Sequence, residues 1–223
     1  MNFYKNAKNY LIFSAGVLIS SLGIGFITRA GLGTSPISGI PFILSLVTAH
    51  SMGVYTFCFN MLFVLEEALI RRRFSFMQAM QIPAALLFSL CIDAALFIIP
   101  TQYGGAYINS IIYLAIDCIV MAFGISLEIR ANVIMLPGEA LVRAISQRFR
   151  YPFGNVKVIF DSTLTLIAVV LAFLFFHRLN GVREGTVFSA LATGQIVTFF
   201  SFLQKKIYHL KNSHQPTDPV HGS

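Results

Sequence analysis

Three aspartates, Asp93, Asp117 and Asp161, lie inside stretches that are otherwise apolar. A carboxylate surrounded by hydrocarbon is costly, so such a group faces protein or water and commonly marks a solute path or a proton relay. Two arginines, Arg29 and Arg130, close other apolar runs. Each opens a short break that ends in a proline: R-A-G-L-G-T-S-P, ending at Pro36, and R-A-N-V-I-M-L-P, ending at Pro137. Glycines in the first break allow backbone turns that other residues resist, and both prolines suit the first turn of a following helix. The unpaired N–H groups and positive dipole end of such a helix start, set beside an arginine, favour an anionic group.

Each of these residues also has a purely structural reading. An arginine at the end of a span can reach the lipid headgroups. A glycine-rich loop can simply sit at the surface, and a buried aspartate can be paired or protonated. Arg29 and Arg130 occupy matched places, so the functional reading stands level with anchoring. Asp161 ranks first among the aspartates because Asn60 stands 101 residues before it; Asp93 follows, and Asp117, with Gly16 opposite, ranks last. For Glu139, in the first turn of a short helix, the dipole alone accounts for a carboxylate, yet Ser38 keeps a polar group at the matched position. The expected solute-binding set is Arg29, Thr34, Ser35, Ser38, Asn60, Arg130, Asn132 and Glu139, with Asp93 and Asp161 as coupling groups for a proton or cation. Glu67 and Arg71 have the i,i+4 spacing of an interfacial pair. No Ser-His-Asp order, HExxH or lysine-bearing phosphate loop occurs, so no catalytic residue and no cofactor is expected. Cys58, Cys91, Cys118, His50 and His177 lack ligand spacing, which argues against a metal or a disulfide framework.

The elements that must hold these groups are membrane helices. Of 223 residues, 56% are hydrophobic and only 11% charged, against about 25% charged in soluble domains; the mean hydropathy is +0.74. The net charge of +7 collects at the ends of apolar runs. That is a topology signal and not a nucleic-acid patch. Residues 9–28, 53–70, 77–99, 109–128, 154–176 and 185–204 read as six spans, each near the ~20 residues that cross a bilayer. The first lacks a small-residue cleavage site and reads as retained. Residues 36–50 and 137–150 are too short or too charged to cross and are expected to lie at the interface or dip in and return.

The two breaks belong to a longer duplication. Gly23-Ile24 matches Gly124-Ile125, Gly53 matches Gly154, Ser45 matches Ser146, Phe59 matches Phe160 and Leu65 matches Leu166, all without a gap. Three spans per half is an odd number, so the second half enters from the opposite side. The expected fold is all-α, two inverted three-helix repeats each carrying one short re-entrant or interfacial helix, a plan shared by many transporters. Its segments are a cytoplasmic lead (1–8), a first membrane repeat (9–100), an external loop (101–108), a second repeat (109–204) and a disordered cytoplasmic tail (205–223). With both termini inside, thirteen Lys and Arg fall on the cytoplasmic side and three (Arg29, Arg178, Arg183) outside, a clear positive-inside bias.

The phrases GIGFITRAGLGTSP, LPGEALVRAISQRF, FGNVKVIFDSTL and GVREGTVFSALATGQI resemble the uncharacterised YczE/YyaS/YitT-like bacterial integral membrane proteins, over roughly residues 9–204. The resemblance implies a multi-pass protein of the bacterial cytoplasmic membrane and an acidic residue in the third span, here Asp93. It supplies no agreed activity. The chain departs from the family in having Ile37-Ser38 where a Trp-Asp pair is common. Two functional expectations follow. One is a secondary carrier of a small solute, with an anion suited to the paired arginines. The other is a non-transporting accessory protein that assists a partner complex. The expected partners are the lipid bilayer and a small solute, with no nucleic acid, and the plan is compatible with a homodimer.

Overall fold

The computed structural model of the chain describes residues 3–100, 107–177, 183, 185–189, 192, 195–197, 199–200 and 202–203. Seven helices are bounded: α1 (Phe3–Ala30), α2 (Pro36–Val47), α3 (Met52–Arg71), α4 (Phe76–Ile98), α5 (Tyr107–Ala131), α6 (Pro137–Phe149) and α7 (Phe153–Phe176). The described residues from 185 to 203 are helical too, and no strand occurs among the described residues. Among the described residues, five helices are long and apolar enough to cross a membrane: Ala7–Ala30 within α1, then α3, α4, α5 and α7. They coincide with the first five expected spans. The sixth, 185–204, lies partly outside the described residues, as do most of the expected external loop and the whole tail. α1 begins at Phe3, within the lead expected at 1–8, and its part able to cross a membrane begins at Ala7.

Local chemistry sets the helix ends. α1 and α5 both stop at a residue with left-handed backbone, Gly31 (φ 72°) and Asn132 (φ 47°), the conformation that ends many helices and that Gly and Asn tolerate best. α2 and α6 each begin on proline. Ser51 caps α3 by accepting from the Val54 N–H at 3.2 Å. α4 opens with a reciprocal box between Ser75 and Gln78, which satisfies two donors that a helix start leaves unpaired.

α1 lies antiparallel to α5 along a stripe of small residues. A Cβ placed on Gly16 would meet Glu128, one on Gly23 would meet Met121, and one on Gly124 would meet Ser20. Small residues let membrane helices approach closely enough for backbone packing. α3 packs on α4 and α6, and α2 packs on α7. The starts of the two short helices meet, since Gly138 of α6 faces Ile37 of α2 and Phe63 of α3. Outward-facing Leu11, Leu18, Leu65, Leu69, Leu90, Phe97 and Leu174 are exposed, as lipid-facing side chains are.

Candidate functional site

Two cavities lie at opposite ends of the α3/α4 pair. The larger, about 570 Å³, is walled by Glu67 and Arg71 at the end of α3 and by Gln81 near the start of α4, and across from these by Glu128, Asn132, Glu139 and Arg143. The smaller, about 420 Å³, is walled by Arg29, His50 and Ser51, with Asp93 and Leu96 near the end of α4.

In the larger cavity Glu67 is held by the Arg71 guanidinium at 2.7 Å and by the Gln81 amide at 3.0 Å. Glu128, buried on α5, accepts a 2.7 Å hydrogen bond from the Ser20 hydroxyl of α1. Glu139 is half-buried in the first turn of α6. Burial pushes its carboxyl above the usual carboxylate range; Lys157 opposes the shift and Asp161 adds to it. Arg73 and Arg143, which line the same cavity, are exposed. Negative groups thus lie inside and positive groups at the rim.

The residues expected to share one lining are divided. Only Asn132 and Glu139 reach the larger cavity, while Arg29 and Asp93 reach the smaller. Arg29 donates to the Leu96 carbonyl through Nε at 3.1 Å and through Nη2. Arg130 is exposed at the end of α5 and lines neither cavity. The expected pairing of the two arginines around one anion therefore does not form. Thr34 is fully buried, with its Oγ1 3.2 Å from Thr28 Oγ1 and its N–H donating to Thr186 Oγ1. Ser35, Ser38 and Asn60 are buried outside both cavities.

The aspartates also sort differently. Asp93 accepts from Ser51 Oγ at 2.6 Å and from the Gly53 N–H at 2.7 Å, so it caps the start of α3. Asp161 pairs with Lys157 one turn away at 2.8 Å. Asp117, ranked last by its sequence context, is fully buried and accepts from Ser189 Oγ at 2.8 Å. Sequence reasoning missed Glu128 and Gln81. Glu128 stands two residues before Arg130 and looks like part of a span end. The signal that finds it is helical spacing: Asp117, Met121, Gly124 and Glu128 fall at i, i+4, i+7 and i+11, one face, opposite Gly16, Ser20 and Gly23.

Among the described residues, all-helical structure and five apolar spans with acidic groups buried among them define a membrane-embedded protein. The chain belongs to a family of unknown function, DUF6198, which matches residues 7–202, in keeping with the resemblance read from its two breaks. It is similar to the uncharacterised protein YyaS of Bacillus subtilis, 22% identical over 207 residues, covering 91% of this chain and 97% of that one. It is also similar to an uncharacterised protein of Haemophilus influenzae, 26% identical over 201 residues, covering 90% of this chain and 85% of that one. No solved structure matches the chain significantly.

Proposed function

We propose that the protein is a secondary carrier of a small solute, built as two inverted repeats in the cytoplasmic membrane with both termini inside. The observation that carries this reading is the 570 Å³ cavity, whose ionisable wall is drawn from both halves of the chain. Carriers of this plan hold their solute where two repeats meet.

Reciprocal packing supports the repeat. At the 101-residue offset α2 corresponds to α6 and α3 to α7, and α2 packs on α7 as α6 packs on α3. The two apolar clusters at the breaks correspond as well. Phe13, Val17, Ala131 and Val133 occur in one, and their counterparts Leu114, Cys118, Ala30 and Leu32 in the other. Each break therefore lies against the facing half.

The cavity's chemistry redirects the solute class. With Glu128 and Glu139 in the wall and arginines at the rim, a zwitterion fits better than the simple anion that the two arginines suggest. An accessory protein without a solute would be expected to have a sealed interior, and the cavity speaks against it. The test is reconstitution of the full chain in liposomes, with uptake of amino acids and other small zwitterions measured by radiolabel against protein-free vesicles. Uptake that saturates supports the carrier. Absence of uptake and counterflow across the zwitterion, cation and anion classes removes it.

A further inference from the structure

Among the residues that line the larger cavity are buried acceptors not matched by a charged donor. Gln81 is 4% exposed, and its Nε2 donates to Glu67 Oε2. A carboxylate only accepts, so this bond fixes the amide orientation. It leaves Gln81 Oε1 as a buried acceptor without a hydrogen-bond partner among the described residues. Glu67 itself is already matched by Arg71. Glu128 receives one neutral hydroxyl, from Ser20, and neither it nor Glu139 forms an ion pair among the described residues. Arg143 Nη1 lies 3.3 Å from Met135 Sδ, and Arg143 forms no ion pair with either carboxyl among the described residues. A buried carboxyl without a cation, lining the same cavity as an unpaired carbonyl oxygen, is an arrangement that desolvation penalises. It is relieved when a cation enters.

We infer that Glu128, Glu139 and the Gln81 carbonyl oxygen form a binding site for a small monovalent cation, either an alkali ion or the ammonium group of the solute. An ammonium group carries three donors and no acceptor, which matches two carboxylates and one carbonyl. The inference deepens the carrier reading and rests on it for the role of the cation, whereas binding itself is measured without transport. None of the three residues belongs to the coupling pair suggested by the sequence, Asp93 and Asp161, both of which are occupied within the fold.

The experiment uses the purified full chain in detergent at pH 7.5, with ionic strength held constant by N-methylglucamine chloride. Sodium chloride, potassium chloride and methylammonium chloride are titrated separately while the unfolding temperature and binding heat are recorded. At least one of the three small cations should raise the unfolding temperature saturably. Methylammonium alone doing so identifies the solute's ammonium group as the ligand; sodium or potassium doing so identifies an inorganic ion. Glu128→Gln, whose amide oxygen can still accept from Ser20, should weaken binding tenfold or more, and Glu139→Gln should weaken it as well. If Glu128→Gln fails to fold, Glu139→Gln alone decides. No saturable shift with any of the three salts overturns the site, and so does unchanged affinity in the folded variants. Cation binding without uptake in liposomes keeps the site and removes the carrier. Uptake without cation binding does the reverse.

Discussion

Gly16 of α1 lies against Glu128 of α5 so closely that a Cβ at position 16 would stand 2.8 Å from Glu128 Cγ and 2.8 Å from the Gly124 carbonyl oxygen. The missing side chain is what allows the Ser20 hydroxyl, one turn further on, to reach the Glu128 carboxyl. Helix packing and the cavity wall are therefore one feature.

Gly16→Ala should separate α1 from α5 and cost about 1–3 kcal/mol, the usual range for overpacking. Gly154→Ala is the control, because a Cβ there meets nothing within 4 Å. Thermal unfolding in detergent should show a lower midpoint for the first variant and no loss for the second. Equal midpoints would contradict the close α1/α5 contact.

Asp93 is expected to act as a cap and not as a coupling group. Asp93→Ala removes acceptors for the Ser51 hydroxyl and the Gly53 N–H and should cost about 1–2 kcal/mol. Any uptake by the folded fraction should keep the ion dependence of the natural chain. Loss of that dependence at normal stability would restore the coupling role.

Asp161→Asn should lower stability modestly. Its partner Lys157 is one turn away at 2.8 Å and both side chains are about a quarter exposed, but α7 is one of the helices able to cross a membrane, where water does not screen the pair and removing one charge leaves the other without its partner. A shift of the unfolding midpoint by more than a few degrees would show that Asp161 has a larger structural part.

Glu139 gives a pH prediction. Its folded carboxyl is raised above the ordinary value by burial, so between the unfolded and folded pKa the folded chain binds more protons. Stability from this group is then greatest below the unfolded pKa and falls as pH rises through the folded one. Glu139→Gln should be more stable than the natural chain at neutral pH, with the gap closing towards pH 4. Unfolding midpoints of both proteins from pH 4 to 8 give the comparison, and a gap that widens on acidification refutes the assignment.

The thirteen-to-three charge bias predicts that the 100–108 loop faces outside. A single cysteine placed there, in a background with Cys58, Cys91 and Cys118 replaced, should react with an impermeant maleimide on intact cells. Reaction only after permeabilisation reverses the topology.

The long apolar helices are legible in the sequence alone, because lipid demands about 20 apolar residues per crossing and charge, or proline and glycine after Ile99, stops each run. It also located both breaks and the helix starts at Pro36 and Pro137, since proline and left-handed Gly31 and Asn132 act on the chain locally. Which polar groups share a cavity was decided by tertiary structure. Arg29 and Arg130 hold matched places in the chain, but one is bonded to the Leu96 carbonyl and the other is exposed. Lys157 stands at i,i+4 spacing from Asp161, a local relation, whereas only the fold brings Ser51 to Asp93. Glu128 and Gln81, 47 residues apart in the chain, line one cavity because α5 packs on α1 and α4 packs on both α1 and α3. Local rules place a residue on a helix face; long-range packing determines which faces meet.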